Sequence, residues 1–120
     1  IMATVNIVNV TSITPFTING LVTTSATNVI DVPADKLYKV NTILIANIDG
    51  TNAADITVGV STDNGSGYHD IATTISVPAD STLSLLSTTL YLDETDLLRV
   101  QANANNDLTY TISGEILDDA

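Results

Sequence analysis

Side chains that alternate between apolar and polar leave a chain few folds, because a two-residue period sends one face of an extended segment into a core and the other into water. From Tyr38 the even positions Tyr38, Val40, Thr42, Leu44, Ala46 and Ile48 stand against Lys39, Asn41 and Asn47, and Ile43 and Ile45 make the second face partly apolar as well. Ile56, Val58 and Val60 read as inward against Thr57, Gly59 and Ser61. Further along, Ile71, Thr73, Ile75 and Val77 share one face, as do Leu98, Val100, Ala102 and Ala104. Leu108, Tyr110, Ile112, Gly114 and Ile116 alternate with Thr109, Thr111, Ser113 and Glu115. No segment carries an apolar stripe at helical spacing, and "LDETDLL" has room for a single turn.

Turn signals punctuate these runs. "NIDGTNAAD" carries Asp-Gly and Asn, which tolerate positive φ and suit a hairpin, and "STDNGSGYHD" reads as an exposed loop returning into "IATTISV". "VPAD" occurs twice, at Val32 to Asp35 and at Val77 to Asp80. Proline lacks the N–H that a central ladder needs, so each Val-Pro step ends a strand and Ala-Asp turns the chain, marking two equivalent corners. About eight short strands, with "TLSLL" and "TTLYL" among them, indicate an all-β fold, a single antiparallel β-sandwich of jelly-roll type. Residues 1–25 differ: a strand near Val5 to Val10 is followed by Pro15, Gly20 and a Ser/Thr run. They are expected to form an extended N-terminal arm that pairs with the sandwich edge or with a neighbouring subunit, ahead of a sandwich domain at 26–120. An ordinary first strand of the same domain is the alternative.

Composition bounds what such a domain can do. Hydrophobic residues are 44% of the chain but aromatics only 4%, so the core is built from Val, Ile, Leu and Ala, and the abundant β-branched residues favour extended backbone. The net charge is −11, with Lys36, Lys39 and Arg99 as the whole basic complement, and no phosphate-binding patch can be assembled from so few. Nucleic acid is therefore not an expected partner. No apolar run approaches the roughly 20 residues of a membrane span, so a membrane is not expected either. With no Cys, disulfides, thiolate metal sites and thiol catalysis are excluded within these 120 residues.

Candidate chemistry is thin. His69, beside Asp70 in a Gly- and Asp-rich loop, is the sole imidazole, and no nucleophile context such as G-x-S-x-G accompanies it. Asp63 with Asn64, and Asp93, Glu94 and Asp96, supply oxygens of the kind calcium takes, but neither has the spacing of a calcium loop, and solvated turns are the expectation. No catalytic, cofactor-binding or metal-ligating residue is assigned, and no enzyme is expected. A carbohydrate cleft would need aromatic platforms, for which Phe16 and four Tyr are poor provision.

The stretch from about Thr27 to Ile116 resembles small virion proteins of tailed bacteriophages. The resemblance lies in Val32-Pro33-Ala34, "ILIANIDGTNAADITVGV", the Gly-rich "TDNGSGYHDIA", Val77-Pro78-Ala79, "LYLDETDLLRVQA" and the final "LTYTISGEIL". It implies a capsid decoration or cement protein: a β-sandwich without an active site, on the outer capsid surface, partnered by the major capsid protein and by copies of itself, with a homotrimer favoured. A neck, tail or fibre component is the alternative within the virion, and a carbohydrate-binding module the alternative outside it. The acidic charge suits the outside of a shell better than its DNA-lined interior.

Overall fold

In a computed structural model, described for residues 5–119, the alternating runs become nine strands. These are β1 (Ser12–Leu21), β2 (Thr27–Asp31), β3 (Lys36–Asn47), β4 (Ala54–Ser61), β5 (His69–Val77), β6 (Thr82–Ser84), β7 (Leu90–Leu92), β8 (Leu97–Ala102) and β9 (Leu108–Asp118). One sheet, here the first, has the order β1-β9-β3-β6, with β7 also pairing β3. The second has the order β2-β8-β4-β5, and all pairings are antiparallel. Because β6 and β7 line successive parts of β3, they act as one interrupted strand, leaving four against four in two interlocked Greek keys, which is jelly-roll order. The expected all-β sandwich is the observed fold. Its interior is aliphatic: Ile43, Ile45, Ile56, Leu98, Leu108 and Ile112 are fully buried between the sheets.

Both VPAD phrases are corners of one kind, carrying the chain from the second sheet to the first, between β2 and β3 and between β5 and β6. In each the Val is buried and the Asp takes a left-handed turn, with φ of 66° at Asp35 and 57° at Asp80. "NIDGTNAAD" departs from the expected hairpin. It joins β3 in one sheet to β4 in the other, its turn built on the Asp49 carboxylate, which accepts from the Thr51 N–H at 2.8 Å and the Asn52 N–H at 3.3 Å. "STDNGSGYHD" does return within one sheet, closing the β4–β5 hairpin through Asn64 and Gly65 at positive φ.

Simple alternation fails where a strand bulges. In β3 the register to β9 runs Val40 to Gly114 and then Thr42 to Ser113, so Asn41 is an extra residue. Past it Ile43, Ile45 and Asn47 point inward, whereas Thr42, Leu44 and Ala46, expected on the core face, turn outward. The backbone closes tightly here, since a Cβ on Gly114 would lie 2.0 Å from the Lys39 carbonyl oxygen. Strand β5 holds two extra residues against β4, one at Ile71 and one at Thr73–Thr74, and Thr74 has a φ of 45°. Ala72 is buried in place of Ile71, which is exposed; Ile75 shares the face of buried Val77 as expected, opposite Ile56, but stays 41% exposed on this edge strand. In β4 Ile56 and Val58 face the core as expected, but Ser61 is the buried residue near its end and Val60 is only half-buried. Strands β8 and β9 follow the sequence pattern, with Leu98, Val100, Leu108 and Ile112 inward; Ala104 lies beyond β8 in a turn.

The expected arm is described from Val5 onward, its first four residues lying outside the described part, as does Ala120 at the end of the domain. Instead of a strand, Ile7–Asn9 form a 3₁₀ turn capped by the Asn6 side chain, which accepts from the Val8 N–H at 3.0 Å. The strand comes later. Residues 12–21 pair with β9 in unbroken register as the edge of the first sheet, Phe16 and Ile18 pack on the core, and Val22 is fully buried. Pro15 does not prevent this, because an edge strand has a side where no N–H is required.

Candidate docking surface

The residues singled out for chemistry do structural work where the geometry shows any. Asp93 Oδ1 accepts from the N–H groups of Glu94 at 2.8 Å and Val5 at 3.2 Å, Glu94 Oε2 accepts from the Asp35 N–H at 2.6 Å, and Asp96 Oδ2 accepts from the Asp93 N–H at 2.8 Å. These carboxylates tie the β7–β8 turn to the first VPAD corner and the N-terminal segment. Burial is the main cause that holds the Asp96 carboxyl above the usual range; the Asp93 N–H opposes it and the Asp93 charge adds to it. Asp63 Oδ1 accepts from Gly67 N–H at 2.9 Å and from the hydroxyl of buried Ser61 at 2.8 Å, and these two bonds, in that order, pull its carboxyl below the usual range. Among the described residues no group of three or more His, Asp or Glu is placed to hold a metal ion. His69 opens edge strand β5, exposed, and the neighbouring Asp70 carboxylate accepts instead from the Thr73 hydroxyl at 3.0 Å.

Aromatic rings are mostly committed within the fold. Phe16 packs on Tyr38 with centroids 5.2 Å apart, and Tyr110 lies over Gly20. The Arg99 guanidinium sits 3.7 Å from the Tyr68 ring centroid, and the Tyr68 hydroxyl donates to Asn28 at 2.9 Å. Tyr91 is the ring left 53% exposed. One open ring does not make the platform a sugar face needs. The two lysines are committed too, Lys36 to Asp118 at 2.5 Å and Lys39 to Glu115 at 3.7 Å.

Charge is concentrated in the turns and at the chain end, where nine of the acidic residues lie, and is sparse on the strands. The strands of the first sheet contain two cations, Lys36 and Lys39, and two anions, Glu115 and Asp118, which face each other as the ion pairs just described and cancel. The whole net charge of −11 therefore falls on the second sheet, the turns and the chain ends. Across the outer face of the first sheet the register forms neutral rows, such as Asn19–Thr111–Leu44–Ser84 and Leu21–Thr109–Ala46–Thr82. Ile13 and Leu21 stand on its edge 60% and 51% exposed. The face is neutral, threonine-lined and dotted with aliphatic side chains, and it is the candidate for docking.

Its edge is also the least protected in the fold. Exposed edges are normally blunted by shortness, charge or bulges. Strand β5 has two bulges and carries His69 and Asp70; β2 has five residues, a bulge and Asp31; β6 has three residues. Strand β1 runs ten residues without a bulge or a charged side chain, and only Pro15 interrupts its outer row of N–H groups. Sequence reasoning passed over this surface because it sought reactive groups. The available signals were the uncharged run "SITPFTINGL" and the two apolar faces of "TILIANI".

No family model matches the chain, and no curated protein matches it. Among solved structures, it is similar to a chain from Bacillus endospore appendages, described as forming a novel family of disulfide-linked pili. The identity is 14% over 89% of this chain and 86% of that one, with a TM-score of 0.54. Two structures of a pentameric capsid protein isolated from metagenomic phage sequences align at 19% identity over 86% of this chain and 62% and 64% of theirs, with a TM-score of 0.47. The appendage likeness is one of fold alone.

Proposed function

We propose that the chain is a non-enzymatic structural subunit of a phage virion that decorates the outer capsid surface, binding the major capsid protein and stabilising the head. The observation that carries this reading is the division of charge. A neutral outer face on the first sheet meets the shell, while the acidic second sheet and turns face solvent. The jelly-roll sandwich and the virion-protein phrasing between Thr27 and Ile116 are consistent with it. Copies of the chain itself are the second partner in this reading, and the homotrimer that the virion-protein resemblance favours belongs to it as well.

Quantitative mass spectrometry of purified particles, with surface labelling of intact heads, tests the role. The expected result is a copy number comparable to that of the major capsid protein, with the chain accessible to label. Its absence from particles, or protection inside the shell, overturns the reading. Thr111→Glu, on the outer face of central strand β9, should leave the fold intact and remove the chain from particles.

A filament subunit is the second reading, favoured by the fold shared with the appendage chain across most of both sequences. Disulfide linking of the kind named there has no counterpart in these 120 residues, which contain no Cys. Electron microscopy of the purified chain separates the two, since a filament subunit polymerises without a shell.

A further inference from the structure

We propose that the open edge of β1 pairs antiparallel with the same edge of a second copy, about a two-fold axis at Asn19, so that the first sheet runs continuously through both molecules. The inference rests on the reading of the chain as an assembling subunit and adds the partner, the strand and the register.

The outward backbone groups follow from the ladder. The Val22 N–H donates to the Leu108 carbonyl at 2.8 Å, and the β1–β9 register is unbroken. Antiparallel pairing alternates bonded and non-bonded pairs, so the even residues of β1 bond to β9 and the odd ones turn their N–H and C=O to the open edge. Those odd residues are Ile13, Pro15, Thr17, Asn19 and Leu21. Pro15 offers no N–H, and its ring stands where a neighbour's carbonyl would come. A pairing that leaves Pro15 outside the ladder uses Thr17, Asn19 and Leu21, which sets Asn19 against Asn19 of the second copy and Thr17 against its Leu21. Such a ladder makes about six main-chain bonds.

Electrostatics selects the occupant. A second copy also carries −11, and approach through any acidic side is opposed by like charge. Strand β1 has no charged residue, so two copies can meet there without bringing carboxylates together. Geometry agrees, because the β5 edge is bulged, the β2 edge is short and bulged, and β6 is shorter still. Among the edges of this chain, the regular edge of β1 matches only another of its own kind. Pairing also covers part of Leu21, at present 51% exposed.

Sedimentation velocity and native mass spectrometry of the purified full chain over a dilution series test this. The wild type should give a concentration-dependent dimer. Asn19→Pro removes an N–H that lies outside the β1–β9 ladder, so the monomer should keep its β-sheet circular dichroism while pairing weakens about a hundredfold, two central bonds being lost. Leu21→Asp, at an exposed position, should have the same effect by placing carboxylates at the seam. It keeps the test decisive should the proline variant fail to fold. A wild type that stays monomeric, or a dimer that survives both substitutions, overturns the pairing. A monomer found on heads removes the pairing and leaves the virion role standing, whereas a dimer absent from particles does the reverse.

Discussion

Asn47 looks in the sequence like part of a wet face, yet it is almost fully buried. Its amide N–H groups donate to the carbonyls of Asn52 at 3.0 Å and Val77 at 2.9 Å, and its oxygen accepts from the Asp49 N–H at 2.8 Å. One side chain thus joins the end of β3, the crossing loop and the second VPAD corner. Asn47→Ala should cost about 2–4 kcal/mol, because buried partners are left unpaired, and a lowered denaturant midpoint would show it. Gly114→Ala should be at least as damaging: its Cβ meets backbone at the β3 bulge, which a rotamer change cannot relieve. Asp96 tests the sign of a pH effect. A carboxyl held above its unfolded range contributes stability that is present in acid and lost as pH rises through the raised value. Asp96→Asn should therefore melt higher than the wild type at pH 7 and nearly with it at pH 4; a larger gain in acid would contradict the assignment. Asp49 and Asp63, both lowered by N–H donors, act oppositely, supporting their turns above the usual carboxylate range and releasing them as pH falls.

At the scale of elements, what was legible is what periodicity encodes. Strands β8 and β9 carry no extra residue of their own, so their inward residues could be read directly, and the VPAD corners could be read because proline and left-handed Asp have fixed backbone meanings. Strand β3 beyond Asn41 and strand β5 before Ile75 read onto the wrong face because a bulge adds a residue without changing composition, and nothing local in "KVNTI" or "IATTI" marks it. The crossing loop after β3 has hairpin chemistry, and its change of sheet is set by long-range pairing of β4 with β8. The neutral face was legible only in part, since neutrality of a sheet is a property of strands far apart in the chain. Strand β1 gives a truncation test. Removal of residues 1–11 should leave a folded sandwich, whereas removal of residues 1–25 takes Phe16, Ile18 and Val22 from the core and should cost several kcal/mol. Thermal melts of the two truncations would show the difference.

For the whole molecule, the proposed pairing sets one uncharged edge against a repulsive remainder. Raising ionic strength from about 0.01 M to about 0.15 M shortens the screening length from roughly 30 Å to roughly 8 Å. Pairing through β1 should therefore tighten with salt, the reverse of an interface held by opposite charges, and dimer fraction measured at the two salt concentrations would check it. The same division gives Asn41 a meaning beyond its strand. Exposed, and accepting from the Thr89 hydroxyl at 3.2 Å, it is the residue at which β3 changes reading frame between inside and outside. Deleting it would exchange the two surfaces of the molecule along half a strand, sending Ile43 and Ile45 to the outer face of the first sheet and Leu44 and Ala46 to the core. A loss of one codon there would act less like a shortened strand than like a frameshift, leaving nearly every letter in place and changing which side each one addresses.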